Sequence, residues 1–590
     1  MNVDFYLSPR KRGNASQTKD TVMLTSMTLK EPNYGESLLS GLSSLQKEGV
    51  LCDIILCAGN IEIKAHRLVL AGCSAYFRAM LTGSMRESRE EKVHFQGLTA
   101  AGLKAMADFA YTGSLFVSLD NLEEILTAAT HLQISEATDL CTTFIEKTIS
   151  VDNCIDVLNT AEFYSLERCR HVATDFVLNN FEAVASSEQY SKVTDKQLAS
   201  FLADDNLKVI SEYKLFELLL KWIDTDRPQR EIYAAELMKH IRLPLFTGEE
   251  LVEKVSNIDI MKKNADCNKL LTEAKDYHIV VGKQPILQNP RTCVRASRQT
   301  LVMCHAENVE AYDIEADRYF FLRDSPVPMY DPAICVLDNF LYACGGKYDG
   351  QDTNYNNIAT ARCFRYDPRF DVWYELASMN EARKDFGMVA VGKNLYAIAG
   401  QDESNVMSSV ERYSIAKNEW ESCAMLPHTL YGHAAAQCNN VIYISGGRKF
   451  DSKSKQLYSF DPSGNIWIEE PSMLRARIYH NMVEYHNKLY VIGGMIQDSN
   501  GDPLLVNTIE IYDSETKTWL QSKCQCAIQR AGVCVLNDAI LIVGGKTGSR
   551  LCSNSITWFH PEKEEIGLLH RYSSRILGRS CCLLTLPQYL

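Results

Sequence analysis

No stretch of this 590-residue chain approaches the roughly 18 to 20 consecutive apolar residues that a bilayer-spanning helix requires, which argues against membrane insertion. Positive charge is not in excess either. Against 74 acidic residues stand 61 basic ones, a net charge of -13, which argues against a nucleic-acid binder that works by bulk charge and leaves only a local basic patch open. No CxxC occurs among the 20 cysteines; only the CxC of Cys524 and Cys526 and the adjacent Cys581 and Cys582 come close, so neither a metal site nor a cofactor is expected. The opening MNVDFYLSPRKRG has no apolar segment of the secretory kind, and cysteines such as Cys57, Cys73, Cys335 and Cys438 sit inside apolar strands and helices. Reduced core thiols in a cytoplasmic protein, with the nucleus as an alternative, are the expectation. GxSxG and HExxH are missing from the C-terminal half, and Gly545-Lys546-Thr547 only imitates a P-loop, because Ile540 stands where GxxxxGK[ST] needs glycine. An enzyme is therefore not expected.

What is present is a repeat. Strand-like runs ending in Gly-Gly recur at LYACGG (Gly346), VIYISGG (Gly447), LYVIGG (Gly494) and LIVGG (Gly545), with a weaker LYAIAG at Gly400. A polar loop of variable length follows each, then an aromatic residue, and a tryptophan seven residues later: Tyr366 to Trp373, Tyr413 to Trp420, Phe460 to Trp467 and Tyr512 to Trp519. Tyr312 to Tyr319 and Phe559 to Ile566 keep the register with other residues, which makes six units about 40 to 55 residues apart, the range of propeller blades. A constant aromatic-to-Trp distance with a turn between them is a hairpin that places large side chains between neighbouring blades. Glycine at the strand ends allows close backbone approach and unusual dihedrals.

This Gly-Gly, Tyr-Asp, Trp pattern resembles the kelch repeat; the Gly-His and Trp-Asp marks of the competing WD-repeat propeller are missing. The first unit starts directly at QTLVMCHA, while the chain ends in the unpartnered apolar run RSCCLLTLPQYL. The C-terminal strand is expected to complete blade one and so remove an open sheet edge.

The N-terminal half is of another type. Residues 1–33, rich in Ser, Thr, Asn and Lys, read as a disordered tail, and Pro9-Arg10-Lys11-Arg12 reads as a solvated basic run rather than a nuclear signal. ESLLSGLSSLQKEG places Leu38, Leu42 and Leu45 on one helical face, which needs either a partner or its own domain to cover it. DIILCAGNIEIKAHRLVLAGCSAYFRAML reads as two strands joined at Gly-Asn and followed by helix. His66 reads as a core histidine, and Asp53 and Arg67, if buried, must pair. With Asp53, Ala65-His66-Arg67, Leu70-Ala71, Ser74, Tyr76-Phe77 and Tyr111-Thr112-Gly113, residues 34–147 resemble a BTB domain. The resemblance implies a homodimer built on the first helix, with Asp53 and Arg67 as the family's charged pair. Met85-Arg86-Glu87 matches the hydrophobic-x-Glu element by which such adaptors grip cullin-3, a pattern too short to carry weight apart from its position after the helix ending near Leu81. Residues 148–270 turn helical, and Asn153-Cys154, Phe181, Trp222-Ile223, Arg230 and Arg242-Leu243-Pro244 resemble a BACK domain. A linker at 271–297 is expected to lead into a six-bladed propeller at 298–590.

The chain is thus expected to be multidomain, with an α/β BTB domain, an all-α BACK domain and an all-β six-bladed kelch propeller. That order resembles the kelch-like substrate receptors of cullin-3 ubiquitin ligases. The resemblance implies a non-catalytic adaptor whose partners are cullin-3, a second copy of itself and a protein target, with no nucleic acid and no membrane; a cytoskeletal or interaction scaffold is the alternative. Target contacts are expected on the rim of the variable loops, which carry Tyr348, Arg448 and Arg550, joined in the family by the turns entering each blade, here bearing Arg383, Tyr431, Arg477, Tyr479 and Arg530. Arginines with tyrosines suit an acidic or phosphorylated peptide, although arginines here could equally bridge blades.

Overall fold

The computed structural model describes residues 34–83, 86–118, 120–304, 308–348, 358–449, 452–497, 503–548, 552–572 and 580–587. The tail expected to be disordered lies outside them. Two compact units divide the chain: the first runs to Ser150 and takes in Asp156–Ala173, the second comprises Val151–Ile155 and Thr174–Leu590. No described helix is long and apolar enough to cross a membrane, and no disulfide joins any of the cysteines.

In the first unit, strand Ile54–Ala58 pairs antiparallel with Ile61–Ala65 through the expected turn, where Gly59 takes a positive φ of 56°, and parallel with Lys92–His94. Helices Arg67–Cys73, Ala75–Thr82, Ala100–Thr112, Leu122–His131 and Ser135–Thr148 complete an α/β domain. Ser74 separates the first two of these helices: its hydroxyl accepts the Phe77 N–H as an N-cap and donates to the Leu132 carbonyl. His66 is a core histidine, with its ring against the Tyr111 hydroxyl at 2.8 Å and the Val50 carbonyl at 2.9 Å.

In the second unit the helical segment ends differently from expectation. Residues 271–297 are not a free linker. Helix Ala265–Ile279 and the 3₁₀ turn Val281–Leu287 occupy its first part, and buried cations fasten the rest. Arg295 donates to Glu212 at 2.6 Å and to the Asp204 carbonyl at 2.9 Å, while Arg242 bonds Asp205 and the Cys293 carbonyl. From blade two, Arg369 reaches back to the Tyr277 hydroxyl and the Thr292 carbonyl.

Six four-stranded antiparallel sheets follow, and their innermost strands touch in succession round a closed ring. The ring shuts as expected: Cys581–Leu586 pairs with Arg298–Cys304 and becomes the inner strand of blade one. The seven-residue spacing has a direct cause, since each aromatic and its tryptophan are opposed across a hairpin, as in Tyr366 with Trp373 and Tyr413 with Trp420. Ring centroids in these pairs lie 5.2 Å apart. Each indole N–H then donates to a carbonyl of the preceding blade, Trp373 to Arg323, Trp420 to Ala377, Trp467 to Ala424 and Trp519 to Pro471, at 2.6 to 2.9 Å. A residue of the same hairpin turn adds a second tie, Asp371 accepting the Arg323 N–H and Asn418 the Ala377 N–H. The glycines are needed where the strands leave the core: Gly493 has a φ of 67°, and a Cβ there would stand 2.1 Å from the Ile528 carbonyl oxygen.

Candidate interaction surfaces

On the first unit, helix Tyr34–Glu48 packs against Ala100–Thr112, so its leucine stripe is divided. Leu42 and Leu45 are half-buried, whereas Leu38 is 52% exposed. Tyr34, Leu51 and Leu68 are exposed as well.

Asp53 and Arg67 do not meet the condition set for them, because Asp53 is not buried. Asp53 is exposed, and its carboxylate accepts the backbone N–H of Arg67 at 2.8 Å, which anchors the start of helix Arg67–Cys73. The Arg67 guanidinium turns instead to three carbonyls, those of Asp53 (3.2 Å), Ser88 (2.9 Å) and Glu90. An exposed carboxylate is satisfied by water and one amide, so nothing compels the two charges to meet. The consequence was not foreseen: Arg67 holds the turn Arg86–Ser88, on which half-buried Glu87 stands. Met85 lies outside the described residues.

The propeller rim is best read by superposing the blades on their hydrogen bonds. Short bridges link the turn entering a blade to the residue after its glycines and on to a residue three or four before its third strand. In blades three to six these triples are Lys384, Gln401, Val406; Tyr431, Arg448, Lys453; Ile478, Met495, Leu505; and Gln529, Lys546, Cys552. In blade two Tyr330 meets Lys347, which pairs with Ala359; Tyr348, on the same short strand, pairs with Ile358. Arg550 lies outside the described residues.

Two expected rim residues are not on the rim. Arg383 and Arg477 are completely buried between strands. Arg383 donates to Glu411 at 2.8 Å and to the carbonyls of Ala399 and Ser409 at 2.9 Å; Arg477 bonds Glu510 and the carbonyls of Gly493 and Thr508. Both are structural, but within their own blade: every partner named lies in the blade that the arginine enters, so neither side chain bridges two blades. A signal for this existed in the repeat itself: the same position is Met329, Leu430 and Ile528 in blades two, four and six, all buried.

Arg448, Tyr431, Tyr479 and Arg530 are partly exposed. Arg530 lies 3.6 Å from the centroid of the Tyr479 ring, and its guanidinium crosses the mouth of the central channel to Asp385 at 3.3 Å. Asp385 also accepts from Gln401 at 2.9 Å. The turns bearing these residues are chained by backbone hydrogen bonds, Gly432 to Asp385, Tyr479 to Gly432 and Arg530 to Tyr479, at 2.8 to 3.0 Å. Beneath the mouth the channel is lined by Asp331, Asp385, His433, Tyr479, His480 and Cys581. Asp385 and Lys453 are the rim residues that sequence reasoning missed.

Comparison with known proteins follows the same partition. The BTB/POZ domain family matches residues 42–149, the family described as BTB And C-terminal Kelch matches 154–256, the Kelch motif matches 328–380, and the KLHDC2/KLHL20/DRC7 Kelch-repeats domain matches 385–585. The chain is 31% identical to Kelch-like protein 26 of Danio rerio over 99% of itself and 98% of that protein. It is 30% identical to Kelch-like protein 15 of Homo sapiens, covering 94% of itself and 97% of the relative. Kelch-like protein 36 of Bos taurus is 29% identical, with 94% and 93% covered.

Proposed function

The chain belongs to the kelch-like family of BTB-BACK-kelch proteins, and on that premise we propose that it is a substrate-recognition adaptor of a cullin-3 RING ubiquitin ligase. In this reading the first unit pairs with a second copy through Leu38, Leu42 and Leu45 and presents Met85 and Glu87 to cullin-3. The propeller rim holds the protein to be modified. The chain supplies proximity rather than covalent chemistry: a target held beside the transferring machinery reacts as though intramolecularly. It acts in the cytoplasm, with the nucleus as the alternative.

The observation that carries this reading is the clamp of Arg67 on the Ser88 and Glu90 carbonyls, which supports a preset turn for Glu87. A carboxylate presented from a fixed backbone loses little conformational freedom on docking. The test is binding of the full chain to the N-terminal domain of cullin-3, with Met85→Ala/Glu87→Lys as the control. Tight binding by wild type that drops by about a hundredfold in the control, with the oligomeric state unchanged, is expected if both residues are interface anchors. No binding by a folded wild-type dimer would overturn the adaptor reading and favour a non-catalytic scaffold.

A further inference from the structure

The rim of blade four breaks a rule that the other described blades obey. The last residue of each bridged set is Ala359, Val406, Leu505 and Cys552 in blades two, three, five and six, but Lys453 in blade four. Several sheltered charges elsewhere in this propeller come with a resident counter-ion: Arg383 has Glu411, Arg477 has Glu510, and at the rim Lys347 has Asp331 and Lys384 has Glu403, while buried Arg365 is met by the Val281 carbonyl and the Phe340 and Tyr374 rings. Lys453 has no counter-ion among the described residues. Its ammonium nitrogen is out of contact with solvent and has no hydrogen-bond partner. Its bridge partner is another cation, Arg448, which in turn bridges Tyr431.

Residues directly opposed across antiparallel strands have their Cβ atoms about 4.5 to 5.5 Å apart, and like charges so placed repel. Burial and the Arg448 charge together hold the Lys453 ammonium below its usual lysine range. Among the described residues no carboxylate pairs with Arg448 or Lys453. A free-standing arrangement of this kind is unfavourable, because a buried ammonium without a partner forfeits its hydration for nothing in return. An arriving anion would remove both penalties at once. Arg448 is partly exposed and offers a planar donor fork suited to carboxylate or phosphate, and Tyr431 stands on its other side.

We propose that the rim of blade four is an anion-binding notch, in which Arg448 and Lys453 together take a carboxylate or phosphate group carried by an acidic segment of the target protein. The inference rests on the propeller rim being the target surface, and it assigns that surface one blade and one ligand chemistry. Broad positive charge is not needed: blade five offers Ile478, Met495 and Leu505 at the corresponding positions, and blade three neutralises its lysine internally.

The test selects short random peptide libraries, fixed at the centre as phosphoserine, glutamate or serine, on the immobilised full chain. Recovery of an anionic library over the serine library by about tenfold is expected, equivalent to one charge-assisted contact. That preference should vanish in Arg448→Ser and in Lys453→Met and persist in Lys546→Met, which removes the lone lysine at the bridge position of blade six. Thermal melting of each variant guards against unfolding; Lys453→Met should melt no lower than wild type. Whether phosphoserine or glutamate is enriched identifies the source of the anion. Equal recovery of the three libraries by wild type, or a preference that survives both blade-four variants, would overturn the notch. Cullin-3 binding measured on the same preparations separates the two readings, since its loss with the anion preference intact would remove the ligase and leave the notch.

Discussion

Blades three and four are neighbours in the ring and handle charge in opposite ways. Blade three buries Arg383, yet gives it Glu411, three hydrogen bonds to Ala399 and Ser409, and a second carboxylate in Glu381. Blade four places Leu430 at that position, with Tyr458, whose hydroxyl meets the His428 ring, in the place of the glutamate, and so is uncharged where blade three is ionic. Its unsatisfied charge sits instead farther out, at Lys453. The difference teaches that a cation inside this propeller is structural when the fold supplies its partner and available for recognition when the fold does not. Exposure alone would not have separated the two.

The comparison breaks most visibly if a resident carboxylate is removed. In blade five, Glu510→Ala leaves Arg477 buried and unpaired and should cost about 3–5 kcal/mol of stability by denaturant unfolding. Converting the pair to the pattern of blade four, Arg477→Leu with Glu510→Tyr, should recover most of that loss, because a packed apolar pair can replace a buried ion pair. No recovery in the double variant would show that the two patterns are not interchangeable.

Arg67 extends the comparison to a cation satisfied by carbonyls. Replacing it with alanine releases the Ser88 and Glu90 carbonyls and should weaken cullin-3 binding about tenfold, read by titration, with accelerated hydrogen exchange confined to residues 86–90. A smaller effect is expected where blades are tied by indoles. Trp420→Phe retains the ring but loses the bond to Ala377, for about 1 kcal/mol. Blade six, with Ile566 in the corresponding place, has no such bond to lose.

The smallest effect sharpens the blade-four side. The folded state holds the Lys453 ammonium below its usual range, so the unfolded chain binds that proton more tightly. Its destabilising contribution is complete at pH values below the folded titration and fades as pH rises toward the ordinary lysine value of about 10.4. The stability advantage of Lys453→Met should therefore shrink with rising pH, which melting curves across the alkaline range would reveal.

The repeat was legible because its marks are backbone requirements. Aromatic and tryptophan are opposed across a hairpin, so their spacing cannot drift, and the glycines occupy conformations that side chains rarely adopt. Ring closure was legible from one surplus strand at one end and one missing at the other. Side-chain direction was harder. Arg383 and Arg477 carry the same composition signal as Arg448, and only aligning the blades, with Met329, Leu430 and Ile528 at the shared position, shows them to be interior. Even that alignment needs a partner column: Glu411 and Glu510 stand where blades two and four carry Phe364 and Tyr458. Pairing of Asp53 with Arg67 is required only if they are buried; Asp53 is exposed, and the guanidinium is satisfied by carbonyls that no side-chain pattern records. The stretch 271–297 reads as a linker, whereas helix Ala265–Ile279 runs into it and hydrogen bonds of Arg295 and Arg369 fasten it.

The strand that shuts the propeller also sets a timetable for its biosynthesis. Arg298–Cys304 leaves the ribosome as the first propeller strand, but its inner neighbour, Cys581–Leu586, emerges only after the other five blades. Throughout translation of those blades, an apolar row that includes Leu301 and Met303 waits with one edge unpaired, as adhesive as any open sheet. A nascent chain of this protein is therefore a natural client for chaperones until its last strand arrives. A frameshift or stop codon just upstream of Cys581 would leave that edge open for good, turning a loss of a few residues into the loss of the ring.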